Sequence, residues 1–285
     1  MLDSLTQFHR PSTIEEACAL LAAQDMKNVP LAGGTFLAES RDSTVQGLVD
    51  LSRLELSFIR HTGNEFVIGA MTPVQDIFKS KVLCGPSGRL LKDAAGKIGS
   101  TLLRNSITSG GNLVSVFPWS DLPPALLALD AEVQIRKGIP KRTIPVQALL
   151  EKSPREFLDR AELVTEIHVP VFGPQTGTSF TKFSKTANDY SLITVATRIT
   201  LDGGTIGEAR IALSGATRKP LRRNDAEQHL LGKPVSLALL AEAAAKAAQN
   251  LDLTSDFRAS REFRTEVLQV LVRRALQDAI RQVGS

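Results

Sequence analysis

Cysteine and histidine are scarce in this chain, with two and four among 285 residues. The pair Cys18 and Cys84 excludes an all-cysteine iron–sulfur cluster or a four-cysteine zinc site within it. Cys18 falls on the apolar stripe Ile14, Ala17, Cys18, Leu21 and reads as a small core residue. His9, His61, His168 and His229 are scattered without ligand spacing, so no metal site is expected. An excess of one charge is also missing: 34 Lys+Arg against 30 Asp+Glu leave +4, mixed along the chain. With no run of five basic residues and no aromatic–basic interleaving, a nucleic-acid partner is not expected. Apolar runs such as Ala125 to Leu129 are far too short to cross a bilayer, so no membrane insertion is expected. The opening Met1-Leu2-Asp3-Ser4-Leu5-Thr6 has neither a basic nor an apolar signal region. These features together favour a reducing, cytoplasmic setting. The common mononucleotide and dinucleotide glycine motifs are absent, and no local Ser/Cys–His nucleophile pair stands out. Gly85-Pro86-Ser87-Gly88-Arg89 lacks a Gly-Lys pair and reads as a loop that opens a helix.

What is present is an ordinary globular balance, 42% hydrophobic and 22% charged, in a chain long enough for two domains or one large one. Ser12-Thr13-Ile14-Glu15 reads as a capping box for a helix over 12–24. Short strands follow at Val29 to Leu31 and Gly47 to Leu51, giving a small α/β unit over residues 1–55. Glu65 to Ala70 is a strand. Pro73 to Lys81 is a helix with Thr72 as N-cap, and Ser87 to Lys97 is another helix. A helix over 123–129 precedes strands at 131–136, 142–146 and 162–169. Pro170 to Pro174 is a plausible boundary. Beyond it, strands at 178–183, 192–201 and 205–213 include a hairpin over Asp202-Gly203-Gly204. Helices at 225–231, 237–249 and 261–282 complete an α+β pattern.

Two glycine pairs stand out: Ala32-Gly33-Gly34-Thr35 and Thr108-Ser109-Gly110-Gly111-Asn112. Glycine admits positive φ and close approach, so consecutive amides can converge on an anion. Each segment reads either as such a nest or as an ordinary turn. Asp121, ahead of Pro123-Pro124, is either a helix N-cap or a carboxylate for a ligand. Lys182 is either a solvated strand lysine or a cation that stabilises a reduced ring. Tyr190, the sole tyrosine, packs or covers a cofactor.

The chain resembles the FAD-binding medium subunit of molybdenum hydroxylases, the xanthine dehydrogenase and aerobic carbon monoxide dehydrogenase relatives, over essentially its whole length. The likeness rests on Arg10 to Ala17, Leu31 to Thr35, Ile68 to Thr72, Ile98 to Ser100, Arg104 to Asn112, Asp121 to Leu129, Phe180 to Lys182, Asp189-Tyr190 and Asp256 to Arg264. It implies a vanillyl-alcohol-oxidase-type, PCMH-type FAD-binding domain over 1–173, built of α/β subdomains 1–55 and 56–173. A C-terminal domain over 174–285 would carry a three-stranded antiparallel sheet and a helical bundle. Carried over, Pro30, Leu31, Ala32, Gly33, Gly34, Thr35, Phe36 and Leu37 and Thr108, Ser109, Gly110, Gly111 and Asn112 would bind the FAD diphosphate. Ile98 would pack by the adenosine half, and Asp121 would bond the ribityl or flavin side. Leu163, Val164, Thr165 and Lys182 would lie by the ring, with Tyr190 over one face.

The resemblance also implies partners. A small [2Fe–2S] subunit would supply electrons, and a large molybdopterin subunit would hydroxylate the substrate, as a dimer of heterotrimers. NAD, a quinone, oxygen or a protein would be the acceptor. Ser109 stands where many relatives have isoleucine, and Val116-Phe117-Pro118-Trp119 is bulkier than usual there, so Trp119 is expected to alter the flavin environment or a subunit contact. A stand-alone flavin oxidase and a flavin-free scaffold remain the rival readings.

Overall fold

The structure, a computed structural model, describes residues 4–284. The first three residues of the expected FAD-binding unit and signal-free N-terminus, and the last residue of the expected C-terminal domain, lie outside the described residues.

The N-terminal unit contains β1 (Gln7–His9), α1 (Ile14–Ala22), β2 (Asn28–Leu31) and β3 (Gly47–Asp50). Its three strands are parallel in the order β1-β3-β2. Strand β1 is too short to show a period in the sequence. The cap of α1 sits one residue later than the expected box. Thr13 accepts from Glu16 N–H, while Glu16 accepts from Ser12 N–H at 2.8 Å. Ala17, Cys18 and Leu21 are buried against this sheet, as the stripe requires.

The second unit runs β4 (Ile59–Thr62), β5 (Glu65–Gly69), α2 (Val74–Lys79), α3 (Gly85–Gly96), α4 (Thr101–Ser106), α5 (Ser109–Val114), α6 (Leu122–Ala128), β6 (Glu132–Arg136), β7 (Lys141–Pro145), α7 (Val146–Glu151), α8 (Pro154–Phe157) and β8 (Leu163–Pro170). Its sheet is antiparallel in the order β4-β5-β8-β6-β7. Thr72 does not cap α2. Its hydroxyl donates to Phe58 O at 2.9 Å and accepts from Phe58 N–H, pinning the chain ahead of β4, and Pro73 takes the cap position.

The third unit holds β9 (Thr176–Phe183), β10 (Ile193–Asp202), β11 (Thr205–Ser214), β12 (Leu221–Arg222), α9 (Asn224–Leu230), α10 (Leu237–Ala248) and α11 (Arg261–Arg281). The sheet has four strands, β12-β11-β10-β9, one more than expected, because two residues of β12 pair with β11. Helix α11 packs on β9 and β10 and against α10, so the helices form a layer on the sheet. Ser260 caps α11 by accepting from Phe263 N–H at 3.2 Å. Ser260→Ala is expected to cost about 1 kcal/mol, read as a lower midpoint in urea.

Two features join the units. All seven residues of α6 are buried, and it packs on β10, β11 and β12. Fully burying each of its leucines stabilises by roughly 1.5–3 kcal/mol. Beyond it, Asp130 receives Arg198 at 2.6 Å and Arg210 and Arg222 each at 2.9 Å. The guanidinium of Arg198 also lies 3.9 Å over the Phe172 ring. The start of α6, where Asp121 stands, is therefore held between the second and third units. Among the described residues no helix is long and apolar enough to cross a membrane.

Candidate functional site

The first glycine segment is the turn that leaves β2. Pro30 is exposed and Leu31 half-buried at the end of that strand, and Ala32 to Leu37 are all half-buried. Leu37 begins a short 3-10 helix, Leu37–Glu39. Gly34 has φ +72°, where a β-carbon is strained. Gly33 is fixed by proximity: a β-carbon there would lie 1.6 Å from the carbonyl oxygen of Ser106 at the end of α4. The backbone N–H groups of Gly33, Gly34, Thr35 and Phe36 donate to no protein acceptor among the described residues, and neither does the Thr35 hydroxyl. Four unpaired, partly covered donors in one turn are what an anion-binding nest requires.

The second glycine segment differs from expectation. It is the first turn of α5, and its amides are already used. Ser109 N–H donates to Thr72 O and Gly110 N–H to Ala70 O, both at 2.9 Å. Gly111 N–H donates to Thr108 Oγ1 at 3.1 Å, and Asn112 N–H to Thr108 O at 2.9 Å. The second nest is thus corrected: Gly110 is small because a β-carbon would come within 2.7 Å of Ala70 Cβ. What this segment offers is a side chain, because Asn112 Oδ1 is buried with no hydrogen-bond partner. Gly111 faces Ala32, so the two segments meet.

Asp121 occupies the N-cap position of α6, but its side chain does not cap. Its Oδ2 takes the Lys182 ammonium at 2.7 Å, and its Oδ1 accepts from Thr194 Oγ1 at 2.9 Å. Both charged side chains are 5% exposed, so Lys182 is a buried ion-pair partner and no solvated strand lysine. The ammonium also donates to Lys97 O at 2.9 Å, next to buried Ile98. Burial pushes the Asp121 carboxyl above the usual carboxylate range; Lys182 and the Thr194 hydroxyl oppose this without overcoming it. Leu163, Val164 and Thr165 are buried on β8. Leu163 packs into the first unit's core and Val164 into the second's, while Thr165 Oγ1 donates to Gln134 O at 3.3 Å.

Tyr190 lies in the loop between β9 and β10, 58% exposed, outside any strand. It ends a run of rings. Phe36 is 5.9 Å from Phe117, Phe117 stacks on Trp119 at 5.1 Å, and Trp119 meets Tyr190 at 4.8 Å. The loop carrying Phe117 and Trp119 is tied to the third unit. Gly215 N–H donates to Pro118 O at 2.6 Å, and Ser214 Oγ to Ser120 O at 2.9 Å. The site therefore gathers the first glycine turn, Thr108 to Asn112, Asp121, Lys182 and Tyr190 along the junction of the units. Sequence reasoning missed Thr194, Phe36's aromatic partner Phe117, and Arg155, whose guanidinium lies 3.7 Å over Phe36. None of these sits in a motif; only folding brings them together.

Residues 4–172 match the family model described as the FAD binding domain in molybdopterin dehydrogenase. Residues 178–279 match the CO dehydrogenase flavoprotein C-terminal domain. The chain is 30% identical over 283 residues to the carbon monoxide dehydrogenase medium chain of Hydrogenophaga pseudoflava, covering 98% of each. It is 30% identical over 273 residues to the glyceraldehyde dehydrogenase medium chain of Sulfolobus acidocaldarius, covering 94% of this chain and 96% of that one. A solved structure of the Hydrogenophaga pseudoflava carbon monoxide dehydrogenase superposes with a TM-score of 0.91 at 30% identity, again over 98% of each chain.

Proposed function

The chain belongs to the family of FAD-binding subunits of molybdopterin dehydrogenases, and on that premise we propose that it takes electrons from the [2Fe–2S] centres of a partner subunit and passes them to an external acceptor. It is an FAD-dependent oxidoreductase subunit. The partners in this reading are a small [2Fe–2S] subunit and a large molybdopterin subunit, in a dimer of heterotrimers. The acceptor is NAD, a quinone, oxygen or a protein, and the setting is cytoplasmic. Residues 1–173 form the FAD-binding domain and 174–285 the domain that closes the site.

The observation that carries the cofactor reading is the first glycine turn. Its four unpaired N–H groups and the orphaned Asn112 Oδ1 are complementary to a ligand that is anionic in one part and a hydrogen-bond donor in another. FAD has both, in its diphosphate and in its ribityl and ribose hydroxyls. When bound, it supplies a centre that accepts electrons singly and releases them singly or in pairs.

The chain's own residues bind and shape. Gly33 to Phe36 hold the diphosphate through backbone donors, and Thr35 adds a hydroxyl. Asn112 accepts from a ligand hydroxyl. Asp121, held by Lys182 and Thr194, sets a fixed, buried charge pattern beside the cofactor. In this reading Lys182, although paired with Asp121, lies by the ring and offsets negative charge on its reduced form. Leu163 to Thr165, buried on β8, hold the backbone beside the ring rigid. Tyr190 and Trp119 lie at the open edge and shield one face. In this reading the substrate is oxidised on a partner, and this chain handles only the electrons.

The purified complex is expected to be yellow, with one FAD released per copy of this chain on denaturation. A complex that turns over substrate yet yields no flavin would refute the reading. Rapid mixing of the reduced complex with NAD and with quinone analogues then identifies the acceptor by which one reoxidises it.

A further inference from the structure

The first glycine turn has a cation beside it that no other group neutralises. Arg155 belongs to α8, which packs against α5 and so flanks the second glycine segment. Its guanidinium carbon lies 3.7 Å from the centroid of Phe36, whose own amide is one of the unpaired ones. The side chain as a whole is exposed. None of its five N–H donors meets a protein acceptor among the described residues, and no carboxylate pairs with it. Desolvation is the one influence on its pKa, which it pulls down; an arginine nonetheless stays charged. Other arginines around the site are engaged: Arg104, for example, donates to Gln75 at 2.8 Å and to Ile98 O and Gly99 O at 3.1 Å.

The amides of this turn and a guanidinium over its Phe36 ring bring positive charge to one segment, with no protein acceptor for either among the described residues. Positive groups gathered on one segment repel one another and together favour an anion. A planar guanidinium held rigid by an aromatic ring is the side chain best shaped to bond two phosphate oxygens at once.

We propose that Arg155 is a further FAD-binding residue, closing the first glycine turn and pairing with the cofactor's diphosphate. The inference rests on the reading of that turn as the diphosphate site. Backbone amides supply direction and partial charge there; Arg155 supplies the full positive charge. It thereby makes the site discriminate a flavin bearing a diphosphate from riboflavin.

The test uses the full chain freed of flavin, titrated with FAD, ADP and riboflavin by calorimetry at low and high salt. Arg155→Gln keeps much of the side chain's length and removes its charge; Arg155→Lys keeps the charge and loses the fork. R155Q is expected to weaken FAD and ADP roughly ten- to a hundredfold, with a shallower salt dependence, and to leave riboflavin unchanged. R155K is expected to fall between. Equal loss of riboflavin and FAD in R155Q means a collapsed turn and overturns the proposal. So does an R155Q affinity for FAD within twofold of wild type, while leaving the glycine-turn reading intact. A wild-type chain that binds neither FAD nor ADP refutes both.

Discussion

Gly33→Ala is expected to strip the chain of FAD. The new methyl carbon would sit 1.6 Å from Ser106 O and 2.7 Å from its carbonyl carbon. Neither is the end of a flexible side chain; both are backbone at the end of α4, just ahead of the segment whose amides bond Thr72 and Ala70. The turn must therefore move by an ångström or more, and its four donors lose their common focus. Hydrogen bonds to a charged group contribute about 1.5–3 kcal/mol each, so losing two weakens FAD by roughly a hundredfold or more. Overpacking adds a fold penalty of about 1–3 kcal/mol. The measurements are the flavin-to-protein ratio after gel filtration and the melting midpoint of the flavin-free chain. Gly173→Ala is the control: its nearest neighbour would be Gln175 Oε1 at 3.5 Å, so both quantities should stay at wild-type values. A G33A chain with a full complement of FAD would show that the diphosphate lies elsewhere.

Removing one half of the buried ion pair should produce the second large effect. Lys182→Met leaves the Asp121 carboxylate 5% exposed with only the Thr194 hydroxyl bonded to it. Breaking such a pair on one side costs about 3–5 kcal/mol at neutral pH. The pH dependence has a definite sign. Asp121 already titrates above its ordinary value because burial outweighs Lys182, and without Lys182 the rise is larger. The folded state then holds a proton that the unfolded state has released, so stability falls as pH climbs from the ordinary carboxylate range through the raised pKa. K182M should thus regain stability in acid relative to wild type. Asp121→Asn with Lys182→Met should recover much of the loss at neutral pH, since no isolated charge remains. Chemical denaturation of wild type and the two variants at two pH values measures this. Equal stability of K182M and wild type at neutral pH would mean that water reaches Asp121.

Local signals located most elements. The α1 stripe, the glycine turn between β10 and β11, and the long α11 were legible because a helix or hairpin repeats its own pattern. The helices α4, α5, α7 and α8, of four to six residues, escaped because they are too short to show a helical period, and their stability comes from packing. The two-residue β12 exists only because β11 offers it an edge.

The same division governs the site. Residue type and order determined that Gly33 and Gly34 form a turn able to expose amides, and which family the whole pattern belongs to. They could not determine which glycine pair keeps its amides free, because that depends on whether Ala70 and Thr72 arrive to accept those of the second. Nor could they give Lys182 its partner, 61 residues away, or set Arg155 over Phe36. Glycine's freedom is a property of one residue and can be read in isolation. Charge pairing, desolvation and stacking are properties of distances between residues remote in the chain, and only the folded structure supplies those distances.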